Sequence, residues 1–143
     1  MPVYRVYGHA LRSNVPLPPL APSWAEEDIA FVLEGPWAQR EAVPGAPWLG
    51  ALNDDGSPFF ALYRLEGGHL LRWHTMFDFV VSEEGSRIRC VPRPGVPDGA
   101  VQVYLLGRVL SLALHLRGVP NLHGSAVATS EGAIGFLGAS GAG

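Results

Sequence analysis

The chain contains no lysine, and its ten basic residues are all arginine. Any phosphate site built from these residues alone therefore lacks the compact, mobile point charge that a lysine ammonium supplies. The bias itself reads as codon usage in a GC-rich genome. Cysteine is nearly absent too. Cys90 stands alone, which excludes an intrachain disulfide framework. In its apolar setting it is expected to be a small core residue. Charge is scarce at 16%, and the formal net charge is -3. That balance argues against a nucleic-acid footprint, although a phosphate ligand needs only local positive charge.

Long apolar runs are missing as well. The longest, Val101 to Leu116, is broken by Arg108 and His115. It is expected to be too short and too charged to span a bilayer. Met1 to Tyr7 alternates, without the apolar stretch of a signal peptide. The expectation is a cytoplasmic protein with no nucleic-acid and no membrane partner. The chain is 48% hydrophobic over 143 residues, which suits a folded chain with a real core. Thirteen prolines and 18 glycines predict many turns and short elements.

In chain order, Val3 to Tyr7 reads as a first strand that ends at Gly8. Leu11 to Leu20 carries prolines that forbid helix. It reads as an extended surface wrap, its leucines acting as packing anchors between prolines. Asp28 to Glu34 is a second strand. Most of Trp37 to Gly56 reads as loop, with a turn at Asn53-Asp54-Asp55-Gly56. Phe59–Leu65 and His69–His74 form a hairpin about Gly67-Gly68. Met76–Ser82 and Arg87–Val91 follow, giving a mostly antiparallel β-meander. His69 and His74 lack acidic or thiol companions at ligand spacing, except Asp78, so they read as solvent-facing strand residues and no metal site is assigned.

Asp98 is expected to cap a helix over Ala100–Arg117, with Gly118 at its end and Pro120 as the stop. Apolar residues occupy most of its faces, which predicts burial between layers, with Gln102, Arg108 and Arg117 at the exposed edge. Gly107 is expected to allow a close backbone contact. The expected fold class is α+β: an antiparallel meander (1–97), a connecting helix (98–120), then a β-hairpin leading into a truncated P-loop (121–143).

That last stretch carries the chemistry. The apolar run Ala133-Ile134-Gly135-Phe136-Leu137 reads as a buried strand. It leads into Gly138-Ala139-Ser140-Gly141-Ala142-Gly143, which has the two glycines of G-x-x-x-x-G-K-[ST] at the right spacing. Glycines let consecutive backbone N–H groups converge on phosphate oxygens. The Lys and Ser/Thr positions would follow Gly143. The expectation is the front part of a P-loop kinase-like protein, cut inside its nucleotide site and binding ATP weakly.

The run Leu122-His123-Gly124-Ser125-Ala126-Val127, followed by Gly132 to Gly143, resembles the opening of the catalytic domain of HPr kinase/phosphorylase-like proteins. Their P-loop core resembles that of ATP-dependent phosphoenolpyruvate carboxykinase. The opening Tyr4-Arg5-Val6-Tyr7-Gly8 and the segment Pro16-Leu17-Pro18 are similar to HPr-kinase-related proteins of bacterial gene clusters. The resemblance implies an ATP- and Mg²⁺-dependent kinase acting on a serine of a protein or peptide. It implies that Gly138 to Gly143 wrap the β-phosphate and that His123 lies near the active site. A buried, backbone-bonded histidine is the other reading of His123. The fragment itself is expected to be catalytically inactive, with homo-oligomers possible.

Two further readings compete. One is a non-catalytic peptide- or protein-binding module, with Trp37, Trp48, Phe59, Phe60, Trp73, Phe77 and Phe79 as candidates to line a groove. The other is a different P-loop ATPase or transporter subunit, against which the hairpin and the His-Gly pair argue.

Overall fold

A computed structural model describes residues 1–36 and 42–139. The chain is a mixed α and β structure, mostly strands with one helix. The strands are β1 Val3–Val6, β2 His9–Ser13, β3 Ala21–Pro22, β4 Ile29–Leu33, β5 Leu49–Leu52, β6 Pro58–Leu65, β7 Gly68–Trp73, β8 Phe77–Ser82 and β9 Arg87–Pro92. The helix Asp98–Leu116 follows, and then β10 Ser125–Thr129 and β11 Gly132–Phe136. The first nine strands form one sheet in the order β3-β1-β2-β4-β9-β8-β7-β6-β5, and β10 pairs with β11 in a separate hairpin.

The meander over β6 to β9 is antiparallel throughout, as its tight turns require. Gly67 supplies a positive φ of 78° for the β6–β7 turn. The sheet is not antiparallel everywhere. β4 runs parallel to both β2 and β9. The proline-rich segment after β2 carries the chain back across the sheet before β4 begins, so a hairpin between the two is impossible. Within that segment Leu17 is fully buried and Leu20 half-buried, which makes the leucines the anchors. β5 lies inside the stretch that reads as loop in the sequence. Its Leu-Gly-Ala-Leu is too short and too glycine-rich to announce a strand, and its pairing with β6 is what orders it. Trp37 lies outside the described residues.

The helix lies across one face of the sheet. Val101, Leu105, Val109, Leu110, Ala113 and Leu114 are buried against Leu71, Trp73, Phe77, Phe79, Val81 and Ile88. Trp73 is the centre of the contact. Its ring meets Phe60, Phe77, Phe79 and Tyr104 at centroid distances of 4.7, 5.6, 6.1 and 4.8 Å, mostly edge-on. Edge-to-face aromatic pairs add about 0.5–1.5 kcal/mol each beyond the area they bury. Cys90 lies in the same core, where burial pushes its thiol pKa up.

Three expectations about the helix are corrected. Pro97, not Asp98, holds the cap position, and no side chain bonds there. Proline costs nothing at that end because the first N–H groups have no helical partner. Among the described residues the helix is covered on one side only, since a single sheet lies against it, and Val103 is 71% exposed. By length and composition the 19 residues are apolar enough to cross a membrane, yet here their apolar stripe lies on the sheet. The close backbone approach is at Gly85 rather than Gly107. A Cβ on Gly85 would run into the Ala113 carbonyl, whereas no atom lies within 4 Å of that position on Gly107.

Gly107 instead sits in a π-helical turn, Leu105–Val109, that interrupts the helix. A π turn disturbs the ordinary carbonyl pairing of the α ladder. The Tyr7 hydroxyl donates to the Leu106 carbonyl there at 2.9 Å. Tyr7 reaches it from the β1–β2 turn, with φ at 48°, a region that non-glycine residues seldom occupy. Farther along, Arg117 faces the Asp28 carboxylate at 3.6 Å, and the Ala10 amide donates to the same carboxylate at 2.9 Å. These contacts pin both the middle and the end of the helix to the β1–β4 half of the sheet.

Replacing Trp73 with alanine removes the hub of five aromatic rings. The expected loss is about 3–5 kcal/mol of folding stability, read from urea denaturation with an unchanged m-value. A loss under about 1 kcal/mol would show that the helix is held by other contacts.

Candidate functional site

After the helix the chain reverses. Gly118 takes a φ of 77°, and its N–H donates to the His115 carbonyl at 2.9 Å, which ends the last turn. The Asn121 side-chain amide then donates to the carbonyls of Ser111 (3.0 Å) and Val119 (3.1 Å). That double contact folds residues 119–123 back along the helix and sets Leu122 and His123 beside it.

The hairpin follows. β10 and β11 pair in register from Ser125 opposite Phe136 to Thr129 opposite Gly132. Carrying that register one step outward puts Gly124 against Leu137. The space there agrees: a Cβ on Gly124 would stand 2.5 Å from the Phe136 carbonyl oxygen and 2.6 Å from Leu137 Cδ2. Only glycine fits that point, which explains the Gly of the Leu-His-Gly run. His123 and Gly138 are each two residues beyond the last pair, Ser125 with Phe136, at the same end of the hairpin. The sequence thus places His123 and Gly138 fifteen positions apart, and the hairpin brings them to one end.

His123 is exposed, unlike the buried alternative considered for it. Gly138 and Ala139 are described and exposed, and Ser140, Gly141, Ala142 and Gly143 lie outside the described residues. The strand before the loop differs from its expected burial. Every residue of β10 and β11 is exposed, with Val127, Ile134, Phe136 and Leu137 each more than half open. An apolar pattern marks a strand that can be buried, but nothing among the described residues lies over it. At that end of the hairpin the geometry puts Gly138 and Ala139 after β11 and His123 before β10. It offers no acid cluster for a metal: among the described residues no group of three His, Cys, Asp or Glu side chains converges.

The other two histidines singled out earlier part company. His69 is not solvent-facing. It is 7% exposed, and its Nδ1 has no partner among the described residues. Burial lowers its pKa below 6.5, helped by the positive charge of Arg64 and opposed by Glu83. His74 is half-buried and lies just past the end of β7 opposite the end that holds His69. Asp78 is engaged elsewhere. Arg72 lies directly across from it on β7, and the guanidinium forks onto the carboxylate, with Nε 3.1 Å from each oxygen and Nη2 2.6 Å from Oδ2.

A groove that the sequence does not announce runs beside His123. It lies between the helix segment Gly107–Leu114 and the outer strands β5 to β7, and encloses about 900 Å³. Phe60, one of the aromatics considered as groove lining, does line it. Trp73, Phe77 and Phe79 are core, and Trp48 and Phe59 are on the surface. A hint of the groove is present in the sequence: the helix has more apolar residues than one buried stripe needs.

His69 is expected to make the fold acid-sensitive. Its folded pKa is below the unfolded value, so the unfolded chain takes up the proton first as pH falls through about 6.5, and stability drops from there downward. His69→Gln should flatten the pH dependence of the urea midpoint between pH 7 and 5.5, and an unchanged slope would assign it to other groups. Comparison of the chain with models of known protein families, with curated proteins and with solved structures found no match in any of the three.

Proposed function

We propose that this chain carries the phosphate-binding hairpin and loop of a cytoplasmic, ATP-dependent kinase of the HPr kinase/phosphorylase type, acting on a serine of a protein or peptide. The observation that carries the reading is the close approach of Gly124 to Phe136 and Leu137 at the end of an antiparallel hairpin beyond which His123 and Gly138 both lie. An acceptor for phosphate needs backbone N–H groups free of other partners, and a glycine run at a strand end supplies them. Residues 138–143 would hold the β-phosphate through those N–H groups, and His123 would donate from the neighbouring strand end. Bound MgATP would supply the transferable phosphoryl group and the metal charge that neutralises it.

The 143 residues hold no lysine, so the cation that P-loop sites place on the phosphates must come from elsewhere. The chain by itself is therefore expected to bind MgATP too weakly for a saturable calorimetric signal at micromolar concentrations. Micromolar affinity would overturn that part of the reading. Coding DNA read past codon 143 is expected to give Lys and then Ser or Thr. The correspondingly extended protein should move radiolabelled phosphate from ATP to serine, and Gly138→Val should lower the rate more than about tenfold. A stop codon or unrelated residues, or no transfer by the extended protein, would sink the kinase reading. A second reading, a peptide- or protein-binding module independent of catalysis, is favoured by the groove beside the helix.

A further inference from the structure

The groove has three properties that together select a ligand. It is apolar on both walls, with Leu49, Phe60 and Leu62 on the sheet side and Leu112 on the helix side. It has one full charge: of the residues that line it, only Arg108 is ionic. Arg108 is exposed in the π-helical turn, and no described residue bonds to it or pairs with it. The third property is the strand beside it. β5 ends the sheet order, all four of its residues are exposed, and no described strand pairs with its outer edge.

A free strand edge presents backbone N–H and C=O groups in alternation, and the partner that satisfies both is another extended backbone. A small apolar molecule would fill the trough but leave that edge unpaired. A strand added there would send every second side chain to the helix side of the sheet, where Leu49 and Phe60 wait. Arg108, with no acid opposite it, would then face the added strand. The chain's own charge of -3 makes an uncompensated arginine in an apolar trough the more distinctive.

We propose that this groove binds an extended peptide, which adds to the outer edge of β5, sets apolar helix-side side chains beside Leu49 at the mouth of the trough that Phe60 and Leu62 floor, and places a carboxylate from another helix-side position on Arg108. The site borders His123 but does not include the glycine-rich loop, and its occupancy does not depend on a nucleotide.

The test is fluorescence polarisation without nucleotide, using the 143-residue chain and short fluorescein-labelled peptides. The first probe carries valine, glutamate and valine at successive helix-side positions with threonine between them, the second has lysine in place of that glutamate, and the third is the first probe N-methylated at alternate amides. Saturable binding of the glutamate probe is expected, with the other two weaker. Arg108→Glu should weaken the glutamate probe at least about fivefold and tighten the lysine probe, since an exposed charge pair is worth up to about 1 kcal/mol and reversal also adds repulsion. Leu49→Glu should weaken the glutamate probe as well. Both positions are exposed, so thermal melts should match the parent chain. The proposal is overturned if the glutamate probe does not saturate, if Arg108→Glu leaves it unchanged, or if N-methylation has no effect. Sedimentation in the absence of peptide covers the remaining occupant: a dimer that Arg108→Glu dissolves would mean a second copy fills the groove, and would overturn the peptide assignment. Phosphoryl transfer is not part of this readout, so failure here and failure of the kinase reading are separable.

Discussion

The packing of Trp73 against Tyr104 is the contact on which the rest of the structure rests. It joins the meander to the helix, with Phe77 and Phe79 closing around it. Among the described residues, a nine-stranded sheet with one helix has little else to bury the face that the helix covers. The residues that fill this contact come from β7, β8 and the first turns of the helix, so the helix is placed by the side chains of a hairpin formed well before it in the chain. Once the helix lies there, its C-terminal end and everything after it follow.

The same economy leaves surface open. One helix does not cover the outer strands, and Gly107 and Arg108 of the π turn line the space left over β5 to β7. Tyr7 spans from the first hairpin to hold the Leu106 carbonyl, a long-range contact that no local preference of either segment implies. The groove is thus a product of how three remote pieces meet: the β1–β2 turn, the interrupted helix and the outer edge of the sheet. Arg108 gives it the one charge by which its ligand can be chosen.

The hairpin after the helix is held differently. Asn121 turns the chain, Gly124 permits the close approach to Phe136 and Leu137, and the pairing register does the rest. Every residue of β10 and β11 is exposed, the apolar side chains included. A two-stranded hairpin is marginal by itself in water, so its stability depends on pairing and on the turn that launches it.

Local chemistry was legible in the sequence. Alternating runs and Gly-rich turns identify β6 to β9, and Leu17 reads as an anchor because proline confines its neighbours to extended chain. The His-Gly pair and the glycine spacing around Gly138 are likewise visible as letters, because a turn or a phosphate approach constrains residue type at fixed offsets. What the letters do not carry is which surfaces end up facing one another. Nothing in Leu49 to Leu52 says strand until β6 lies beside it. His69 looks like a surface residue until the folded sheet removes it from water, and Gly85, not Gly107, meets the helix because the β8–β9 turn backs onto Ala113. Such facts depend on contacts between positions far apart in the chain, whose energies are set by shape and burial after folding, and only the tertiary structure decides them.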